Sequence, residues 1–193
     1  GLTATQDITV TVTNVNEAPV LNFSSDPNFQ AEENQNIAGT FSATDPDGDS
    51  LTFRLEGNTD SDKFTIDQNG VVRFIVTPDF ENPHNAGLIK NNNYFPSVFV
   101  SDGSLEDGLA FTVTVTDVNE SPVFTSSASF SAAENQTAID TVTATDPESD
   151  TLIFSVSGST LEIDASSGVL TFASEPDFET TTSVTATVTV TDA

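Results

Sequence analysis

The sequence contains no cysteine, methionine or tryptophan, and only one tyrosine and one histidine in 193 residues. Without cysteine there is neither a disulfide framework nor a thiolate metal site. Cations are nearly as scarce. Four Lys plus Arg stand against 30 Asp plus Glu, a formal charge of -26. That charge repels phosphate backbones and anionic lipid alike, which excludes nucleic acid as a partner and argues against membrane association. No run approaches the ~20 apolar residues of a membrane span, so no membrane insertion is expected. Residues 1 to 20 lack the basic start and apolar centre of a signal peptide, so any export signal is expected elsewhere or already removed. The 15 phenylalanines supply a core rather than a polar aromatic binding face. No stretch shows a helical period.

What is present is a repeat. Thr9 to Val20 reads TVTVTNVNEAPV and Thr112 to Val123 reads TVTVTDVNESPV, an offset of 103 (117 minus 14). Between these boundaries, Phe29, Glu33, Asn34, Asp45 and Phe53 recur as Phe130, Glu134, Asn135, Asp146 and Phe154, an offset of 101 (146 minus 45). Short β-branched alternations are separated by turn signals: DPDGD at Asp45 to Asp49, Asn69-Gly70, and SDGS at Ser101 to Ser104. Strands are expected at 2–13, 37–44, 51–55, 72–76, 94–100 and 108–116. About seven short strands per repeat and no helix indicate an all-β fold of tandem β-sandwiches. The expected boundaries are 1–17 as the last strand and linker of a preceding repeat or as a donor strand, 18–119 as repeat 1, and 120–193 as repeat 2 without its last strand. Two explanations fit this permuted order: a register cut from a tandem array, or subunits that lend an N-terminal strand head-to-tail.

The acidic residues fall at strand ends, where a sandwich gathers its loops. The linker from Asp117 to Pro122 places Asp117, Asn119 and Glu120 before a stiffening proline. A short, carboxylate-dense connection is stable when a cation sits on it. Calcium fits, since it takes six to eight oxygen ligands from Asp, Glu, Asn and carbonyls and needs neither His nor Cys.

Taken together, Glu33 with Asn34, Asp79 with Glu81, the Asp117 to Ser121 linker, Asp146 with Glu148, and Asp192 resemble the motifs of the cadherin repeat family, in particular cadherin-like repeats of large bacterial surface proteins. The resemblance covers nearly the whole chain. It implies seven-stranded Greek-key sandwiches of Ig-like architecture, an extracellular or cell-surface location, and up to three Ca2+ ions at a repeat junction. Glu33, Asp79, Glu81, Asp117 and Glu120, with the Val118 carbonyl, would hold two. Asn119, Asp146 and Asp192, with Glu148 and the Ser121 carbonyl, would hold the third. Glu120, Ser121 and Glu148 depart from the family's usual Asp, Asn and Asp, which implies altered geometry or fewer ions. Asn14, Asn16 and Glu17 with Asp45, Asp47 and Asp102 form half of another junction, weakened because Asn14 replaces the linker Asp. Glu134, Asp177 and Glu179 are the counterparts that a neighbour would complete.

The implied function is a calcium-rigidified structural repeat of a secreted or surface adhesin or filament, joined to adjacent repeats or identical subunits. Catalysis is not expected: Asp79 and Glu81 are a carboxylate pair without a cleft, no G-x-S-x-G occurs, and His84 lies in a polar Asn-rich loop. Binding of surface glycans is the stronger rival, centred on Tyr94 in an insert, 82–95, that repeat 2 lacks. Homophilic adhesion is a third reading, without the exposed Trp that the animal family often uses.

Overall fold

A computed structural model describes residues 1–23, 27–57, 59–85 and 91–192 of the chain. The chain divides into two compact units, Gly1–Asp117 and Val118–Ala193. Residues 86–90 of the insert fall outside the described residues.

Unit 1 holds strand segments β1 (Val20–Asn22), β2 (Asn28–Glu32), β3 (Ile37–Thr40), β4 (Ser42–Thr44), β5 (Thr52–Leu55), β6 (Phe64–Ile66), β7 (Val71–Phe74), β8 (Asn93–Tyr94), β9 (Ser97–Ser101), β10 (Glu106–Ala110) and β11 (Thr112–Thr116). Several are halves of one strand. The 37–44 strand is split at Phe41 and the 94–100 strand at Pro96, which has no N–H to give a ladder. The Phe111 N–H donates to the Pro96 carbonyl at 3.0 Å, so β8–β9 and β10–β11 stay paired across the break. One sheet runs β1, β4 with β3, β7, β6; the other runs β2, β11 with β10, β8 with β9, β5. The first strand therefore straddles both layers: β1 pairs antiparallel with β4, and β2 pairs parallel with β11.

Alternation decides which side chains fill the space between the layers. Val98 and Val100 on β9 and Val113 and Val115 on β11 point inward and are buried, while Phe99 and Thr114 between them face the other side. Phe29, Phe41 and Phe111 meet edge to face at centroid distances of 4.9 to 5.8 Å. Each buried ring contributes roughly 2–3 kcal/mol by area alone. The β6–β7 hairpin closes on Gly70, at φ +77°, where a side chain would strike the Phe41 carbonyl. Only glycine suits both demands.

Unit 2 holds β12 (Val123–Phe124), β13 (Ala138–Thr141), β14 (Ala144–Thr145), β15 (Ile153–Val156), β16 (Leu161–Ile163), β17 (Val169–Phe172) and β18 (Val188–Thr191). Its first sheet repeats that of unit 1, with β12 on β14 and β13 on β17 on β16. Gly168 takes the place of Gly70, at φ +71° beneath the Val142 carbonyl. Among the described residues the second sheet is β15 with β18. Residues 129–133, the counterpart of β2, form no strand. In unit 1 that segment is held by β11, and among the described residues of unit 2 no strand stands in β11's position.

Three expectations change. Residues 2–13 form no strand, and Leu2, Ile8, Val10 and Val12 are exposed. Alternation prepares a segment for a sheet, but its N–H and C=O groups need a partner, and none lies beside it among the described residues. The strand expected at 72–76 ends at Phe74, with Ile75 and Val76 exposed. Tyr94 is a core residue, 2 % exposed.

Candidate metal centre

The Glu-Asn pair builds the first acidic group. After β2 the chain turns through Asn34, at φ +60°, a left-handed conformation Asn tolerates better than most residues. The Asn34 N–H donates to the Pro78 carbonyl at 3.1 Å. The turn tucks Glu33 inward, 1 % exposed, where its Oε2 accepts the Phe80 N–H at 2.7 Å. That bond draws the 78–82 loop under the carboxylate. As a result Glu33, Glu81 and Asp117 offer carboxylate oxygens within 4.8 Å of one another. Asp79 lies outside this close group; its Oδ1 accepts the Asn82 N–H at 2.8 Å and shapes the loop.

Unit 2 repeats the device. Asn135 has φ +59° and its N–H donates to the Pro176 carbonyl at 3.0 Å. Glu134 Oε2 accepts the Phe178 N–H at 3.0 Å. Glu134, Asp177 and Glu179 converge within the same 4.8 Å, all three exposed.

The other end of unit 1 carries the second group. Asp45 Oδ1 accepts the N–H groups of Asp47 and Asp49, at 2.9 and 3.2 Å, and the three carboxylates cluster within 4.8 Å. Asp49 escaped the sequence reading, although its place in DPDGD and its counterpart Asp150 at the same 101 offset marked it. Asn14 donates to Asp47 Oδ1 at 2.7 Å, the Glu17 N–H to Asp47 Oδ2 at 2.9 Å, and Asn16 to Asp102 Oδ2 at 2.8 Å. The Glu17 N–H and the Asn14 amide hold the Asp47 carboxyl below its ordinary range. The Leu105 N–H and the Asn16 amide do the same for Asp102. Glu17 is pushed up, chiefly by its contact with Asp47.

In unit 2, Asn119 donates to Asp192 Oδ2 at 3.1 Å, as Asn16 does to Asp102. Asp146 Oδ1 accepts the Asp150 N–H at 3.0 Å. Burial, with the Glu120 side chain as a smaller cause, raises the Glu148 carboxyl. Val118 and Ser121 are exposed and would contribute backbone carbonyls only.

These donor sets suit a hard divalent cation. Every side-chain ligand is an oxygen, as calcium requires. Asp45 Oδ2 and Asp146 Oδ2 are covered yet have no hydrogen-bond partner among the described residues, an arrangement that is costly unless something positive faces them. Two carboxylates at 4.8 Å repel by roughly 1 kcal/mol in water and ~3 kcal/mol near a protein surface. The ion pairs of the described residues do not relieve this, since Arg54 is spent on Glu56 and Glu106 and Lys63 on Asp62.

The proposed sugar platform is not supported by the geometry. Tyr94 packs edge to face on Phe64 and Phe74, at 5.6 and 5.4 Å, and its hydroxyl accepts the His84 N–H at 3.2 Å. Burial raises its pKa. No face of the ring is open to a ligand.

No family model matches the chain. It is 32% identical over 130 residues to the cadherin EGF LAG seven-pass G-type receptor fmi-1 of Caenorhabditis elegans, covering 62% of this chain and 5% of that protein. It is 29% identical to cadherin-7 of Gallus gallus, covering 93% of this chain and 26% of that protein. The chain thus spans only a small part of each curated relative. Among solved structures, human protocadherin-24 EC1-2 superposes with a TM-score of 0.52 at 18% identity, over 86% of this chain and 82% of that one. No helix among the described residues is long and apolar enough to cross a membrane. The chain therefore has sequence likeness to two cadherins over a small part of their length and shares the fold of human protocadherin-24 EC1-2.

Proposed function

We propose that the chain is a calcium-binding structural segment of an extracellular adhesin or surface filament, in which calcium stiffens the acidic boundary of each repeat. The observation that carries this reading is the repetition of one acidic device. Glu33 with Glu81 and Asp117, and Glu134 with Asp177 and Glu179, are convergent oxygen sets built on the same left-handed Asn and the same carboxylate-to-backbone bond. Calcium held there converts repulsion into attraction, and the loops at the sandwich ends stop moving apart. Asp79, Glu120, Asn119, Asp146, Glu148 and Asp192, with the Val118 and Ser121 carbonyls, complete the ligand set in this proposal. Asn14, Asn16, Glu17, Asp45, Asp47 and Asp102 form the opposite end. Extracellular modules of this kind work with calcium near millimolar.

The partners in this reading are further cadherin-like repeats or identical subunits, joined end to end. A bacterial source is carried by the motif resemblance alone, and both curated relatives are animal proteins. Glycan binding loses its candidate residue with the burial of Tyr94.

The test is a thermal melt of the chain in chelator and in stepwise calcium, followed by the same titration of Glu33→Gln. A calcium-dependent rise in melting temperature, reduced in the variant, is expected. An unchanged melt at several millimolar calcium and low ionic strength sinks the proposal.

A further inference from the structure

We propose that Asn92, in the Asn-rich insert of unit 1, is a positioning residue for the Glu33, Glu81 and Asp117 group, because it holds the peptide that presents Glu81. The inference rests on the reading of that group as a calcium site. Three successive peptide units of the 78–82 loop are pinned, each by a different side chain. The Phe80 N–H donates to Glu33 Oε2 at 2.7 Å, the Asn92 amide donates to the Phe80 carbonyl at 2.9 Å, and the Asn82 N–H donates to Asp79 Oδ1 at 2.8 Å. The middle bond is the one that bears on Glu81. The Phe80 carbonyl and the Glu81 nitrogen belong to one planar peptide, so fixing the oxygen fixes the plane from which the Glu81 side chain departs.

Asn92 can do this because the insert is itself tied to β11. The Val115 N–H donates to the Asn92 carbonyl at 2.8 Å. On one side, Asn93 lies opposite Thr114, whose hydroxyl donates to Asn93 Oδ1 at 2.8 Å. On the other, Asn91 Oδ1 accepts the amide of Asn85 at 2.9 Å, and Asn85 is only 7% exposed. The same strand sets the other two acids. The Glu33 N–H donates to the Thr116 carbonyl at 3.1 Å, and Asp117 directly follows β11. All three carboxylates are thus referred to one strand, Glu81 by way of Asn92.

The amide is kept under an unfavourable condition. Asn92 Oδ1 is covered and has no hydrogen-bond partner among the described residues. A covered oxygen without a donor is destabilising, and a leucine of similar shape would avoid it. What leucine cannot supply is the N–H for the Phe80 carbonyl. Repeat 2 has no such brace, since it lacks the insert and no asparagine follows Asn135. A loop held in place before the cation arrives spares the ordering that binding otherwise requires.

Asn92→Leu in the whole chain is the test. In chelator, hydrogen exchange at the Phe80 amide is expected to speed up by about fivefold, as one bond of the loop is lost. In a calorimetric titration, calcium affinity is expected to fall by about the same factor. In a Glu33→Gln background the same change should have little further effect on calcium, because both residues act on one group. Asn92→Ala, which cannot crowd the loop, should give the same pattern. Thr114→Val should not, since it removes a neighbouring bond of the insert and leaves the Asn92 amide in place. Unchanged Phe80 exchange, equal effects of Asn92→Leu and Thr114→Val, or a melting temperature lowered by the same amount in calcium and in chelator overturns the proposal. A parent chain that binds no calcium sinks the functional reading, whereas the Phe80 exchange, measured in chelator, still decides whether Asn92 sets the loop.

Discussion

Units 1 and 2 have nearly the same landmarks and very different interiors. Among the described residues, unit 1 buries thirteen hydrophobic side chains in one cluster and unit 2 only Val142, Phe154 and Leu170. The difference spreads beyond one strand. Val98 and Val100 are wholly buried in unit 1, while their equivalents Val188 and Val190 remain half-exposed. A sandwich layer is cooperative: one strand covers its neighbour on each side, so the position of β11 governs the burial of β9, β2 and the rings between them.

The largest effect should come from making unit 1 resemble unit 2. Phe111→Ala removes the ring that closes the Phe29–Phe41–Phe111 group, and about 4 kcal/mol of unit 1 stability should go with it. Calorimetry should show the unit 1 transition fall while that of unit 2 holds. A shift of both by the same amount would refute independent cores.

Calcium sharpens the comparison next. At calcium one hundred times the dissociation constant, about 2.7 kcal/mol of stabilisation is expected. Glu33→Gln should remove more of it than Glu134→Gln, because the Glu33 group includes a buried member and the Glu134 group is wholly exposed. Fluorescence melts with and without chelator measure both.

Third, Gly70→Ala and Gly168→Ala should each cost at least about 2 kcal/mol, from the left-handed backbone and the carbonyl above it. Similar losses in chemical denaturation would show that the first sheet is equally built in both units. A loss confined to Gly70→Ala would show that unit 2 relaxes around the insult.

The smallest effect is in acid. Asp164, in the β16–β17 turn, is held down to about 2 from 3.8, first by the Ser167 N–H and then by the Ser166 hydroxyl. Its folded value lies below its unfolded one, so the support it gives is present above pH ~4 and fades as pH falls toward ~2. Asp47 and Asp102 act with the same sign. Glu148 is raised, so its contribution runs the other way: present in acid and lost as pH climbs through its folded value. Carboxyl titration by NMR should show Asp164 shifting last among the turn residues.

Period-two patterns made the strands of both units legible, because each has one inward face. The same patterns misled at residues 2–13, since alternation reports which side of a strand is apolar and not whether another strand is present to pair with it. Tyr94 was assigned to an insert by its Asn-rich neighbours. Yet Tyr94, Pro96, Val98 and Val100 share one parity and are all buried, and that register pointed to the core. The ends of the sandwich were legible as recurring acids. The bond from the Phe80 N–H to Glu33 was not, since it joins residues 47 apart in sequence and depends on the fold to bring them together. Asp107, which accepts the Leu21 N–H at 2.9 Å, was hidden for the same reason.

The run from β3 through β4 leads from the turn at Glu33 to the turn at Asp45, a path of about 25 Å. Its two ends carry unlike chemistry, an indrawn glutamate group at one and an Asx-turn cluster at the other. Such a module has a head and a tail, so any array of it is a vector. Length can be added without ambiguity of direction, and each joint is a different surface from the one it meets.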